Sequence, residues 1–259
     1  MKVSVLISNY NKFNYLKKTL NYVLNQNFKN YEIILFDDQS TDKSLEIIKK
    51  YKKIKLIINK KKKIPFSPML NQINAVHQSF KQSKGKIICL MDADDVFFKD
   101  KIYYINDFFQ KYKNKHFLVN TPKTSDAFFK YKHKNNNKHI WPTIFPTSCV
   151  SVRRSFLKKF FKYALPKKFR NLAIDARLSI FAKYFYNDYN ILNKELNTYA
   201  INQKGNWSIY KHLSINWWIS RNEAFEYLKY ILKLKNKNFK KSVDYYLTKT
   251  IYWIIKNTL

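Results

Sequence analysis

Short apolar runs with strand character alternate with helical patterns through the first half of the chain, and this alternation limits the possible folds more than any other feature. Strands that are separated by helices form βαβ units, which build a mostly parallel sheet covered by helices. The sequence therefore predicts an α/β fold. The predicted strands are residues 3–8, 31–36, 54–58 and 87–91, and the predicted helices are residues 14–26, 42–51, 69–82 and 101–112.

Polar and acidic residues follow three of these predicted strands. Asn9 and Tyr10 follow the first, Asp37 and Asp38 follow the second, and residues 92–95 follow the fourth. Ligands of such sheets bind at the carboxyl ends of the strands. We therefore expect these residues to meet at one edge of the sheet and to form a binding site.

Three carboxylates lie within four residues in the segment 92–95, and we call Asp92, Asp94 and Asp95 the acidic cluster. These side chains repel one another unless a cation neutralises them. Oxygen ligands select Mg²⁺ or Mn²⁺, and such an ion would also bind phosphate oxygens. The alternative is a surface turn that caps a helix. In a chain with 17 acidic and 50 basic residues, a metal site is the better interpretation.

Two other features suit a nucleobase. A carboxylate at a strand end, such as Asp37 or Asp38, can accept a hydrogen bond from a base N–H group. An exposed aromatic ring at Tyr10 can stack on the base. Both features have simpler alternatives, because a single aromatic residue more often packs within the protein and Asp42 is more simply a helix cap.

The net charge of +33 leaves more than one class of partner open. Nucleic acid and the anionic leaflet of a membrane both attract such a protein, and a compositional bias toward lysine is the third explanation. Because no zinc-finger, helix-turn-helix or RNP-like signature accompanies the charge, we do not expect nucleic acid as a partner. A nucleotidyltransferase should carry a glycine-rich phosphate loop, and the chain has no glycine before Gly85.

The cysteines and the N-terminus bear on the cellular compartment. Cys89 and Cys149 are too few for a disulfide framework, and we expect both to be reduced core thiols. Residues 1–7 are too short an apolar run for a signal peptide, and no run approaches the roughly 20 apolar residues of a membrane span. We therefore expect a cytoplasmic protein, either free or peripheral on the inner face of the cytoplasmic membrane.

Four ordered segments of the chain resemble family 2 of the inverting glycosyltransferases, which has the GT-A fold and a DxD acidic motif. The segments are residues 3–11, 24–28, 31–42 and 85–95. The resemblance implies metal-dependent transfer of a sugar, with inversion, from a nucleotide donor such as a UDP-sugar to a glycan acceptor. It also implies a role in the assembly of cell-surface polysaccharide, lipopolysaccharide or glycoprotein glycans. The chain departs from the family at Gln39, where the family usually has glycine.

The resemblance assigns roles to the predicted site residues. Tyr10 corresponds to the residue that stacks on uracil, and Asp38 to the carboxylate that accepts from uracil N3–H. Asp92 corresponds to the ribose-side acid, and Asp94 to the ligand of Mn²⁺ or Mg²⁺. The supporting residues are Asp37 and Asp95.

The inverting reaction also needs a base that takes the proton of the acceptor hydroxyl. Residues 173–178 resemble the family segment that carries this base, which implies Asp175 as the catalytic base. The alternatives are that Asp175 caps a helix over residues 176–184, or that Asp188 or Glu195 is the base.

The second half of the chain is less regular. We expect a long loop over residues 121–147, a strand over 148–152 and a helix over 174–184. Residues 199–208 resemble the closing segment of the family, which often carries a metal-binding histidine. Here Asn202 and Gln203 occupy that neighbourhood, so water or an amide oxygen is the alternative ligand.

These features predict a GT-A catalytic domain over residues 1–207, divided into a nucleotide-binding half (1–115) and an acceptor half (116–207). A helical C-terminal extension over residues 208–259 follows. Its helices combine Trp and Tyr with lysines, which suits a membrane interface and a lipid-linked acceptor. The alternative is that the aromatic rings pack on the catalytic domain while the lysines stay in water.

Overall fold

A computed structural model describes residues 1–60, 67–124, 140–164, 168–199 and 210–258. The strands are β1 (Val3–Asn9), β2 (Tyr31–Asp37), β3 (Ile54–Ile58), β4 (Ile87–Asp92), β5 (Val96–Phe97), β6 (Phe117–Thr124), β7 (Val150–Arg153) and β8 (Asn190–Tyr199). The helices are α1 (Phe13–Leu24), α2 (Ser44–Ile48), α3 (Pro68–Gln82), α4 (Lys101–Lys111), α5 (Arg154–Tyr163), α6 (Ile174–Phe181), α7 (Ile215–Lys233) and α8 (Val243–Thr258).

The strands form one sheet in the order β3-β2-β1-β4-β7-β6-β8-β5. The first four of these are parallel, which confirms the predicted βαβ units. Beyond β4 the sheet is mixed, because β7 runs antiparallel to both β4 and β6. Parallel pairing recurs between β6 and β8, so the first half of the sheet is parallel and the second half is mixed.

Both faces of the central strands are buried, as expected for parallel strands covered by helices. Successive side chains of a strand point to opposite faces. Val3 and Val5 of β1 accordingly pack with α1, α2 and α4, whereas Leu6 packs with α3, α5, α6 and α7. The two layers of helices make an α/β sandwich that holds the sheet edges in place.

Three strands and two boundaries differ from the sequence prediction. Strands β5, β6 and β8 were not predicted, and the loop prediction for residues 121–147 is wrong at its start because β6 continues to Thr124. The strand predicted over 148–152 begins at Val150, after a short 3₁₀ turn. Residues 125–139 lie outside the described part of the chain.

The predicted helix caps are only partly right. Helix α2 spans five residues rather than 42–51, and its N-cap position is Lys43. Asp42 precedes it and accepts hydrogen bonds from the backbone N–H groups of Ser44 (2.9 Å) and Phe13 (3.0 Å), so it joins α1 to α2. Asp100 lies at the N-cap of α4, but its carboxylate accepts from Asn27 Nδ2 instead (2.7 Å).

The C-terminal part of the chain is helical, as predicted. Helix α7 packs against the core through Phe225, Tyr227 and Leu228, and α8 crosses it. In the described ranges, no helix is both long and apolar enough to cross a membrane. The segment around Asn202 and Gln203 and the predicted boundary at residue 207 lie outside the described residues.

Gly85 is located at a close approach of two backbone segments. A Cβ atom at this position would lie 2.5 Å from both the backbone nitrogen and the Oγ of Ser4, and 2.8 Å from the carbonyl carbon of Val3. The Gly85 N–H donates to Ser4 Oγ at 2.8 Å. A glycine is therefore needed for β4 to enter the sheet beside β1.

We expect Gly85→Ala to lower the free energy of unfolding by about 1–3 kcal/mol, the usual effect of overpacking a filled site. Urea unfolding measures the change. Lys18→Ala on the exposed face of α1 is the control and should stay within about 0.5 kcal/mol of the wild type. Adding Ser4→Ala should not restore stability, because the clash with the Ser4 backbone remains. Full stability of Gly85→Ala would contradict this account.

Candidate active site

The register of the central strands brings the predicted site residues to one sheet edge. Asn9, the last residue of β1, pairs with Asp37 of β2, and Ser8 pairs with Asp92 of β4. All three strands are parallel, so their carboxyl ends lie side by side. The predicted convergence of these residues at one edge is confirmed.

Asp37 organises the turn that follows β2. Its Oδ2 accepts from Asn9 Nδ2 and Ser40 Oγ, both at 2.7 Å, and its Oδ1 accepts from the Ser40 N–H at 2.9 Å. Gln39, within this turn, has a positive φ of 59°. This is the left-handed region that glycine adopts most easily, and here the chain holds it with a glutamine.

Asp38 lies beside this turn, and its side chain is almost completely buried. Its Oδ1 accepts from Asn59 Nδ2 at 2.7 Å, and its backbone N–H donates to the Asn9 carbonyl at 2.9 Å. Tyr10, by contrast, is 48% exposed. An oriented carboxylate and an open aromatic ring thus occur at the ends of adjacent strands. Sequence analysis missed Asn59, which follows β3 as Asp38 follows β2.

The acidic cluster follows β4 directly. Asp92 Oδ1 accepts from Gln72 Nε2 at 2.8 Å, and the Asp92 N–H donates to Ser148 Oγ at 3.0 Å. Burial raises the pKa of Asp92 well above its usual range, and the neighbouring charges of Asp95 and Asp94 raise it further. The carboxylates therefore crowd one another, as the sequence predicted.

Asp94 forms an ion pair that the sequence did not predict. Lys12 Nζ lies 2.6 Å from Asp94 Oδ2. Burial lowers the pKa of Lys12, but the charge of Asp94 and the hydrogen bond to it outweigh burial, so that the pKa is raised overall. The backbone of the cluster is also fixed, because Thr19 Oγ1 donates to the carbonyl oxygens of Ala93 and Asp95, both at 2.9 Å.

Asp175 lies in the first turn of α6 and is only 5% exposed. Burial raises its pKa to about 6, against the opposing effect of the hydrogen bond from the Ala176 N–H. The N-cap of α6 is Ala173, so Asp175 does not occupy the cap position that the alternative interpretation required. Its charge raises the pKa of Asp92, so the two carboxylates lie within electrostatic range of each other.

Tyr199, at the end of β8, is a site residue that sequence analysis did not single out. Burial raises the pKa of its hydroxyl group, and the charges of Asp175, Asp95, Asp92 and Asp94 raise it further. The adjacent residue Thr198 pairs with Val96, immediately after the acidic cluster. Tyr199 therefore lies near all four carboxylates.

The other two candidate bases lie elsewhere. Asp188 accepts from Asn190 Nδ2 at 2.6 Å and is 3.5 Å from Lys115 Nζ. It also accepts from the His116 N–H, just before β6 begins, which is the sheet edge opposite the acidic cluster. Glu195 is exposed on β8. Neither arrangement supplies a carboxylate to the site.

Lys101 is a fully buried cation behind the acidic cluster. Its Nζ donates to Asn120 Oδ1 (2.6 Å), the Ser148 carbonyl (2.7 Å) and Asn197 Oδ1 (3.0 Å). Burial lowers its pKa to about 8, although the charge of Asp95 opposes this shift. The Lys101 ammonium group thus links β6, β8 and the turn that contains Ser148. The hydroxyl group of Ser148 in turn accepts from the Asp92 N–H.

The donor set fits a divalent cation such as Mg²⁺, which takes few of its ligands from the protein. Among the described residues, no group of three His, Cys, Asp or Glu side chains forms a ready-made metal cage. Mg²⁺ sites commonly use one or two protein carboxylates and complete their coordination with substrate phosphates and water. Asp94 and the crowded carboxylates beside it match that arrangement, in which most ligands come with the substrate.

Comparison with known proteins decides the family. The family model described as Glycosyl transferase family 2 matches residues 4–179, which is more than half of the chain. The chain belongs to glycosyl transferase family 2. This family assignment supports the predicted glycosyltransferase over the nucleotidyltransferase and nucleic-acid-binding alternatives.

A curated relative is an uncharacterized glycosyltransferase of Nostoc sp. (strain PCC 7120). It is 31% identical over 183 residues, which make up 62% of this chain and 53% of the relative. The chain therefore spans about half the length of that relative.

Solved structures share the fold at low identity. S. aureus TarS 1–349 in complex with UDP-GlcNAc aligns with a TM-score of 0.67 and 19% identity, covering 99% of this chain and 72% of TarS. The mannosyltransferase PcManGT from Pyrobaculum calidifontis, in complex with GDP-Man and Mn²⁺, aligns with a TM-score of 0.65 and 13% identity, covering 98% and 69%. These likenesses confirm the predicted GT-A-type fold with C-terminal helices.

We expect the buried ammonium of Lys101 to make stability depend on pH. A lysine with a native pKa of about 8 and an unfolded pKa near 10.5 binds fewer protons in the native state between these values. Stability should therefore rise with pH across this window, by roughly 3 kcal/mol at 1.36 kcal/mol per pKa unit. The measurement is the difference in unfolding free energy between the wild type and Lys101→Met at pH 7.5 to 10.5.

Using the difference cancels other groups that titrate in the same range and lie away from Lys101. Lys111→Met, at the exposed end of α4, is the matched control and should give a difference that does not vary with pH. If Lys101→Met does not fold, Lys101→Gln gives the same comparison, because an amide donates without titrating. A difference that is flat or falls with pH would refute a depressed pKa.

Proposed function

We propose that this chain is a metal-dependent inverting glycosyltransferase that moves a sugar from a UDP-sugar to a glycan acceptor. The proposal depends on one observation: in a member of glycosyl transferase family 2, Asp38, Asp92 and Asp94 follow the carboxyl ends of neighbouring parallel strands. TarS and PcManGT, which share the fold, bind UDP-GlcNAc and GDP-Man. This supports a nucleotide-sugar donor for the present chain.

In this proposal the base of the donor binds between Tyr10 and Asp38. The exposed Tyr10 ring would stack on uracil, and Asp38 would accept from N3–H. Asn59 holds the Asp38 carboxylate in one orientation, so little ordering is needed when the base arrives. Asp37 supports this pocket through the turn that it stabilises.

The diphosphate side of the donor would lie at the acidic cluster. Asp92 would contact the ribose, Asp94 would bind Mn²⁺ or Mg²⁺, and Asp95 would support the cluster from the buried side. When bound, a divalent cation neutralises the charge of the diphosphate and of the leaving nucleotide. Lys12, which is paired with Asp94, supplies a second positive charge at the same place.

Asp175 is the base in this proposal. Its carboxylate would take the proton of the acceptor hydroxyl as that oxygen attacks the anomeric carbon from the face opposite the leaving group. A pKa of about 6 keeps it ionised at neutral pH and makes it more basic than an ordinary aspartate. The Tyr199 hydroxyl, near the same carboxylates, would donate a hydrogen bond at the acceptor side.

The proposed setting is the inner face of the cytoplasmic membrane. The catalytic domain would span residues 1–207, with a nucleotide-binding half (1–115) and an acceptor half (116–207), and residues 208–259 would form a helical extension. The acceptor would be a lipid-linked glycan in polysaccharide, lipopolysaccharide or glycoprotein glycan assembly. The net charge of +33 supports attraction to an anionic membrane.

Calorimetric titration with UDP tests the donor site and its metal. The wild type should bind UDP at least roughly tenfold more tightly with Mn²⁺ than in EDTA, because the cation offsets the charge between diphosphate and carboxylates. Asp94→Asn should lose this gain. Asp107→Asn makes the same substitution on the exposed face of α4 and should behave as the wild type. Equal affinity in Mn²⁺ and in EDTA would remove the metal from the proposal.

A separate experiment identifies the donor: a panel of nucleotide sugars is screened for hydrolysis by the wild type.

Asp175→Asn tests the base. The amide cannot accept the proton, so transfer should fall by about 10²–10⁴ while UDP binding is unchanged. In the wild type, kcat/KM should decline as the pH falls through about 6, where the Asp175 carboxylate becomes protonated, and the variant should lack this acid limb. Asp188→Asn is the control, which should lower stability but keep the pH profile. Near-normal transfer by Asp175→Asn would rule out Asp175 as the base.

A further inference from the structure

The C-terminal helix α8 exposes large apolar side chains along one side. We call it the α8 stripe. Its members are Val243, Tyr246, Leu247, Trp253 and Ile254. Spacings of three, four and seven residues put them on one side of the helix. Val243 is 86% exposed and Trp253 is 66% exposed, so this side faces solvent along the whole helix.

The opposite side of α8 is firmly attached to the protein. Tyr245 and Thr248 are its buried residues, and the Tyr245 ring lies edge-on to Phe225 with centroids 5.4 Å apart. Asp244, the only acid in the helix sequence, is neutralised by Arg221 at 2.6 Å. The aromatic residues of the C-terminal region therefore divide into a packed set and an exposed set. The α8 stripe belongs to the exposed set.

Lysines border the α8 stripe. Lys256 lines a shallow groove together with Trp253, and Lys249 beside it is paired with Glu226 at 2.8 Å. Lys241 Nζ lies 5.8 Å from the centre of the Tyr246 ring. The surface thus combines large apolar side chains, two exposed amphipathic rings and positive charge, with its one acid paired.

The charge decides between possible occupants of this surface. A second copy of the chain would bring another net charge of +33 to the contact, and the lysines bordering the two stripes would repel each other. An anionic bilayer presents an apolar layer beneath negative headgroups. Trp and Tyr favour that boundary, and lysines near it are attracted to the negative headgroups.

We propose that the α8 stripe docks on the surface of an anionic lipid bilayer, with Leu247 and Trp253 inserted among the acyl chains and Lys241 and Lys256 at the headgroups. The inference rests on the proposed function only for the identity of the membrane. Docking would set the orientation of the catalytic domain, because α8 is held against α7 and α7 against the core. A lipid-linked acceptor would then reach the site from a fixed direction.

Vesicle co-sedimentation tests this proposal. The wild type should bind phosphatidylglycerol-containing vesicles much more tightly than pure phosphatidylcholine vesicles. The double variant Leu247→Ser/Trp253→Ser should bind the anionic vesicles at least roughly tenfold more weakly, since it loses apolar insertion but no charge. The control is Tyr22→Ser/Tyr103→Ser, which removes two exposed rings from α1 and α4 and should bind as the wild type.

Three results would overturn the proposal. One is an equal effect in the stripe and control variants: equal loss would make exposed rings in general the cause, and no loss in either would make general charge the cause. Another is equal binding to both kinds of vesicle, or none. The third is a concentration-dependent dimer that only the stripe variant abolishes, since the surface would then bind a second copy. UDP titration of the stripe variant is measured in parallel, so that failure of docking is not confused with failure of the donor site.

Discussion

Strand β1 lies between β2 and β4, and the registers of these two parallel pairings set the position of every proposed donor contact. A shift of one residue in either pairing would point Asn9, Asp37 or Asp92 to the opposite face of the sheet. The register is fixed at its far end as well, where the missing side chain of Gly85 lets β4 approach β1. The binding edge is therefore a consequence of how tightly three strands pack.

In the candidate site, the charges of two lysines offset those of the carboxylates. Asp92 is partly buried and Asp175 is buried, and both have raised pKa values; such carboxylates are costly unless positive charge is near. Lys101 supplies positive charge from the buried side and Lys12 from the open side. The chain carries a large excess of lysine, but only these two reach the acidic cluster among the lysines with described contacts. Their position matters more than the net charge.

The parallel half of the fold and its polar edge could be predicted from the sequence because buried strands read as unbroken apolar runs. Strand β8 could not be predicted from the sequence, because polar residues interrupt its apolar pattern and its partner β6 ends on polar residues. Asn59 could have been found, because it follows a predicted strand just as Asp38 does. Lys101 and Lys12 gave no signal among 50 basic residues, because burial depends on tertiary packing. The roles of Tyr10, Asp38, Asp94 and Asp175 are still predictions.

The left-handed conformation of Gln39 has a wider meaning in a chain with only two glycines. Asn11, Asn187, Leu213 and Asn236 also have positive φ values, so the described backbone makes its tight turns without glycine. Each such residue costs roughly 1–2 kcal/mol for a typical side chain, and less for asparagine. Two of the five, Asn11 and Gln39, flank the proposed nucleotide pocket. These turns therefore lower the stability of the protein, but their loops have few alternative conformations. Because the rim of the pocket contains no glycine at these positions, its backbone is held rigid.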